Sequence, residues 1–157
     1  LVDVRGQLPV RPGRGYPSRS LNGLALFVVH YSAGPARVGV RAVAGYQTGA
    51  SSHLPFPAIA YHWFVEGDGT LYRCHDYTVR TWGSGGAGVN ERAVHCCYAG
   101  DVEPNAAQIT GMRRARELTE AELGWELRVE GHKDRDATRC PVGWPAWADK
   151  LRGVELP

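Results

Sequence analysis

The chain has 157 residues, 43% apolar and 22% charged, with a formal net charge of +2. That length suits one domain that buries its own core, and so small a charge argues against a nucleic-acid binder. Four cysteines are too few for a dense disulfide framework, and no apolar run reaches the ~20 residues of a membrane span.

Residues 1–23 are rich in Arg, Pro and Gly without a sustained period, which predicts an irregular arm with a turn near Pro12-Gly13. Scattered arginines and the lack of an apolar central region do not fit a secretory signal, so synthesis in the cytoplasm is expected. Residues 24–31 end in LALFVVHY, a continuous apolar run of the kind that forms a buried strand. Ser32-Ala33-Gly34-Pro35 breaks it, and a helix is expected over 38–48. A loop with two prolines then spans 49–57.

In IAYHWFVEGDGTLYRCHD, two aromatic and β-branched runs flank Gly67-Asp68-Gly69, the signature of a hairpin with strands over 60–66 and 70–75. TWGSGGAGVN (81–90) reads as a loop; it lacks the lysine and spacing of a phosphate-binding loop. A strand is expected over 93–99. Residues 105–123 carry Ile109, Met112, Ala115, Leu118 and Leu123 at helical spacing, with Asn105 as N-cap and Gly124 as stop. A short strand over 127–130 and a helix over 145–151 complete an α/β domain. Its expected form is a mixed sheet of five to six strands, with helices on both faces and a cleft at the strand ends.

The segment Glu130-Gly-His-Lys-Asp-Arg-Asp-Ala-Thr-Arg-Cys-Pro-Val-Gly143 concentrates the chemistry. His132 and Cys140 lie eight positions apart, and imidazole and thiolate are common zinc ligands. His30, at the end of the first long strand, is the best third donor. Cys96 and Cys97 are adjacent and no CxxC pair occurs, so no fourth ligand closes the set. Structural zinc sites are closed by four protein ligands, whereas hydrolytic ones keep a position open. An open zinc site on His30, His132 and Cys140 is therefore expected.

Taken in order, these pieces resemble the zinc-dependent N-acetylmuramoyl-L-alanine amidases that share a fold with peptidoglycan recognition proteins and small phage lysozyme-type amidases. The resemblance runs from Leu24 to about Trp147. FVVHYSAG is similar to the family's first strand, ending in its first zinc histidine, here His30. AYHWFVEGDGTLY is similar to its tyrosine–histidine strand and hairpin, with Tyr61 in the tyrosine position. GSGGAGVN resembles the substrate-side loop and AVHCCYAGD the central strand. GHKDRDATRCPVG resembles the segment that supplies the second histidine and the cysteine. Thr138 stands where many phage members carry lysine and recognition-protein amidases carry threonine or serine. Gly85, Arg92 and His95 stand where histidine, asparagine and glycine are usual.

The resemblance implies one zinc ion on His30, His132 and Cys140, and hydrolysis of the amide joining N-acetylmuramic acid to L-alanine in peptidoglycan. It further implies that Tyr61 and Thr138 polarise the reacting groups. An endolysin-like monomer acting on the wall after release is the expected setting, with no nucleic-acid partner. A non-catalytic peptidoglycan-binding module is the alternative; such modules commonly lack the ligand cysteine, and Cys140 is kept. A general metalloprotease would need HExxH, which is absent.

The remaining polar residues have plainer readings. His62 should face away from Tyr61 by strand alternation, as a core residue or a support behind the ligands. His53, His75 and His95 read as loop or surface residues. Asp134 and Asp136 either orient a ligand imidazole or are solvated loop charges, the second reading being preferred. Cys96 and Cys97 should face opposite sides of their strand.

Overall fold

A six-stranded mixed sheet forms the centre of the computed structural model, which describes residues 1–49 and 56–153. In chain order the elements are β1 (Val2–Asp3), β2 (Leu26–Tyr31), α1 (Val40–Thr48), β3 (Trp63–Val65), β4 (Leu71–Arg73), α2 (Ala87–Arg92), β5 (Ala93–Tyr98), α3 (Ala106–Leu123), β6 (Arg128–Gly131) and α4 (Ala148–Arg152). Short 3-10 turns lie at Leu21–Gly23 and His132–Asp134. The strand order is β1-β4-β3-β5-β2-β6. β3, β5, β2 and β6 run parallel, and β4 returns antiparallel to β3. The predicted α/β class and strand number are those observed.

β2 and β5 are apolar apart from His30, Tyr31, His95 and Tyr98, because both of their faces are covered. Phe27, Val29, Val94, Cys96 and Tyr98 pack against Ile109, Met112 and Ala115 of α3 and Ala148 and Leu151 of α4. On the other face Phe64 and Cys97 meet Val40, Val43 and Ala44 of α1. Cys96 and Cys97 therefore do face opposite sides, and all four cysteines are free thiols. By the same alternation, His30 and His95 share the α1 side of the sheet with Val28, which pairs with His95 across the strands.

α3 starts and stops as its sequence predicts. The Asn105 side chain accepts from Gln108 N–H at 2.9 Å, and the Gln108 side chain accepts from Asn105 N–H at 3.1 Å. Such reciprocal capping stabilises a helix by about 1 kcal/mol. Gly124 ends it at φ 84°, where a side chain would be strained. The β3–β4 hairpin turns at Gly67-Asp68-Gly69, with Gly69 at φ 87° against the Ala107 carbonyl.

Three expectations change. The arm is not wholly irregular: β1 pairs parallel with β4, and Ser18 bridges Val79. Buried Arg19 anchors it by donating to Tyr77 O (2.8 Å), Asn90 O (2.6 Å) and Ala93 O (2.7 Å). The glycine-rich stretch is a loop only to Gly86, after which α2 begins. The hairpin strands are shorter than predicted, three residues each at Trp63–Val65 and Leu71–Arg73. His62 pairs instead with β5 and with Cys74, its N–H donating to His95 O and its carbonyl accepting from Cys74 N–H. His53 and most of the proline-containing loop lie outside the described residues.

Candidate metal centre

β2 and β6 are neighbours, and their register sets Val29 opposite Gly131. The next residue of β2 is His30, and the first residue beyond β6 is His132, so parallel pairing delivers both imidazoles to the same end of the sheet. The tight contact at Gly131 fixes where the chain leaves β6: a Cβ there would lie 2.7 Å from the Trp144 indole. Lys133 N–H then donates to Cys140 O at 2.6 Å and closes the loop between the two ligand positions. Cys140 returns beneath β2, where its sulfur accepts from Tyr31 N–H at 3.3 Å and lies 3.8 Å from His30 Nδ1.

One ligand atom from each of His30, His132 and Cys140 lies within 4.8 Å of the other two. Zinc bonds of 2.0–2.3 Å place tetrahedral N and S donors roughly 3.5 Å apart. The 3.8 Å between His30 Nδ1 and Cys140 Sγ is close to that, so the donor set fits zinc with small side-chain adjustments. The sequence-predicted ligands are the ones the fold brings together.

Both imidazoles are held from behind. His132 Nε2 is 2.6 Å from Asp136 Oδ2, which also accepts from Ser84 Oγ (2.5 Å) and Gly85 N–H (3.0 Å). Burial opposes the charge on Asp136, but those bonds from Ser84, Gly85 and His132 hold its pKa below the ordinary value. The solvated-charge reading of Asp136 is therefore corrected. Asp134 is exposed, as a solvated loop charge would be, yet its Oδ2 also accepts from Gly131 N–H (2.8 Å) and Trp144 Nε1–H (2.7 Å), bracing the loop.

His30 Nε2 is 2.9 Å from His95 Nδ1. Expected in a loop or on the surface, His95 is instead 0% exposed in the middle of β5. Its backbone N–H donates to His62 Nδ1 at 3.1 Å, and His62 is itself buried in the core. His75 is half-buried, with Nε2 2.8 Å from Ile59 O. Burial, reinforced by neighbouring imidazoles, pushes the pKa of His30 well below its ordinary value. His30 is thus neutral, the form that binds metal. Burial raises the Cys140 thiol to about 12 against the opposing Tyr31 N–H, so only a bound cation would make it a thiolate at neutral pH.

The cluster lies on the floor of a cleft of about 610 Å³ whose walls include Tyr46, Phe56, Tyr61, Trp82, Gly85 and Thr138. The Tyr61 ring sits beside His30, centroids 5.2 Å apart. Burial drives its phenol pKa well above 10, with the Cys97 and Cys140 thiols adding to the rise and the Gln47 amide opposing it. Tyr61 is therefore a proton donor at physiological pH and not a base. Thr138 Oγ accepts from Cys140 N–H at 3.2 Å, which leaves its O–H to donate.

Sequence reasoning missed Asn90, Ser84 and Gln47. Ser84 acts through Asp136, 52 residues away, and Gln47 through Ala60 N–H. The Asn90 contacts to Ser84 and His95 are local but give no pattern that a lone polar residue in a glycine-rich stretch would reveal.

The profile of the family described as N-acetylmuramoyl-L-alanine amidase (Amidase_2) matches residues 22–143, a span that holds all three donors. No curated protein sequence matches the chain. Among solved structures, the N-acetylmuramoyl-L-alanine amidase LysC from Clostridium intestinale is similar at TM-score 0.73 and 19% identity, over 98% of this chain and 97% of that one. Drosophila peptidoglycan recognition protein SD gives TM-score 0.75 and 20% identity, over 96% and 99%. The Ph2119 endolysin of a Thermus scotoductus bacteriophage gives 0.70 and 19%, over 96% and 97%. These likenesses carry the fold, and the profile match carries the family: the chain belongs to the N-acetylmuramoyl-L-alanine amidases.

Proposed function

We propose that this protein is a zinc-dependent peptidoglycan hydrolase that cleaves the amide between the lactyl group of N-acetylmuramic acid and L-alanine of the stem peptide. The convergence of His30, His132 and Cys140 on the floor of an open cleft carries this reading. Zinc bound there would supply Lewis acidity, which polarises a carbonyl and lowers the pKa of a water ligand to about 7.

The chain's own residues do the rest. Asp136 and His95 hold the two imidazoles, so the donor set is oriented before substrate arrives. Tyr61, protonated and beside His30, donates a hydrogen bond toward the developing oxyanion, a contribution of about 3 kcal/mol for a donor aimed in advance. Thr138 adds a second O–H at the same rim. The cleft volume lies within the range of small-molecule and oligomer sites, and the exposed rings of Tyr46 and Trp82 offer apolar surface to a sugar or peptide backbone. The role extends to an endolysin-type agent acting as a monomer on the wall.

Incubation with purified peptidoglycan tests this. Released fragments should carry new L-alanine amino termini, and release should stop with chelator and return with zinc. New reducing ends in place of amino termini would assign a glycosidase. Tight binding of muropeptide without any cleavage would assign a recognition module.

A further inference from the structure

We infer that His95 and Asn90 are positioning residues that lock His30 in the Nε2–H tautomer and so reserve its Nδ1 lone pair for the metal. The inference rests on the zinc reading above for its functional consequence and on hydrogen-bond geometry for its substance.

The argument starts at the Asn90 amide, whose orientation is set independently of any histidine. Its Nδ2 donates to Ser84 O at 2.8 Å, and its Oδ1 accepts from Ser84 N–H at 3.0 Å. Both contacts are to backbone groups of fixed polarity, so the oxygen faces His95 Nε2, 3.0 Å away. An amide oxygen only accepts, and the proton of His95 must therefore sit on Nε2. None of the side-chain or backbone partners of His95 (His30, Asn90 and His62) is a carboxylate. A second proton would bury an unpaired cation at 0% exposure, which is costly, so Nδ1 of His95 carries a lone pair.

That lone pair points at His30 Nε2, 2.9 Å away, so His30 donates from Nε2. The remaining nitrogen of a neutral imidazole is unprotonated, and it is the one 3.8 Å from Cys140 Sγ. Polarity thus passes from the Ser84 backbone through Asn90 and His95 to His30. The packing enforces the path: a Cβ on Gly83 would stand 2.6 Å from the His95 ring, so the turn carrying Ser84 closes on that ring because residue 83 has no side chain. Ser84 serves the other ligand as well, since its hydroxyl donates to the Asp136 oxygen that holds His132. One short turn thereby braces both imidazoles.

The test begins with the wild-type protein free of metal. Long-range ¹⁵N–¹H spectra of labelled imidazoles, recorded above neutral pH, should show His30 and His95 both as Nε2–H tautomers. An Nδ1–H tautomer at His30 overturns the inference without any mutant. His95→Phe fills the space but offers no acceptor. It should mix the His30 tautomers and lower zinc affinity, measured by competition with a chromophoric chelator, by about 10- to 100-fold. His95→Asn places an amide oxygen near the position of Nδ1 and should restore the tautomer and most of the affinity. Zinc affinity within twofold of wild type in folded His95→Phe would also overturn it. Loss of hydrolysis with the tautomer intact would count against the amidase reading alone, and a wrong tautomer in an active enzyme against this inference alone.

Discussion

Replacing Asp136 by asparagine removes one charge and little volume from behind His132. In the wild type a single oxygen, Oδ2, accepts from His132 Nε2 (2.6 Å), Ser84 Oγ (2.5 Å) and Gly85 N–H (3.0 Å). A hydrogen bond to a charged group contributes about 1.5–3 kcal/mol, against about 0.5–1.5 for a neutral one. The difference acting on His132 is therefore about 1–2 kcal/mol, trimmed toward the lower figure because the carboxylate is 26% exposed and partly screened. The imidazole becomes a poorer donor toward metal, and zinc affinity should fall about 5- to 30-fold. Competition with a chromophoric chelator reads this directly, and thermal unfolding of the metal-free variant checks that the loop survives. An affinity within twofold of wild type in a folded variant would refute the claim that Asp136 strengthens the ligand behind which it sits.

Tyr61→Phe should leave zinc affinity within about twofold and lower kcat by about 10²- to 10³-fold, the usual cost of one oxyanion donor; a kcat within threefold of wild type removes Tyr61 from the chemistry. Zinc uptake should depend on pH, because Cys140, raised to about 12 as a free thiol, must lose its proton to bind. Protons compete more strongly as pH falls, so apparent affinity should rise about tenfold per unit between pH 7 and 9, and a flat profile there would show that the thiolate is not a ligand. Gly131→Ala drives a methyl to within 2.7 Å of the buried Trp144 ring. Overpacking of this kind costs about 1–3 kcal/mol, so a chemical-denaturation midpoint unchanged from wild type would mean that the ring moves aside freely.

Local pattern was enough to locate most of the fold. The apolar run into His30, the hairpin glycines, and the cap and stop of α3 at Asn105 and Gly124 are short-range signals, and each formed where its residues require. The three candidate metal donors were legible for a related reason. Histidine and cysteine in one short segment, with a histidine closing a buried strand, are chemically distinctive wherever they end up. By itself the sequence thus determined the α/β class, the order of the longer elements and the three side chains that converge at the candidate metal centre.

What stands behind those donors was decided by tertiary structure. Asp136 reads as an ordinary loop charge until the turn at Ser84 and Gly85 folds over it, 51 to 52 residues away in the chain. His95 reads as a loop or surface histidine until parallel pairing sets β5 beside β2 and buries its ring against His30. The short helix α2 hid inside a glycine-rich stretch because its stability comes from packing Val89 under Leu26, Val28 and Ala93 and not from propensity. The two-residue β1 was equally invisible, since pairing with β4, and no feature of Val2 or Asp3, makes it a strand. Metal ligands announce themselves by their own chemistry, whereas the groups that orient them are ordinary polar residues. Their roles come from neighbours that only the folded sheet supplies.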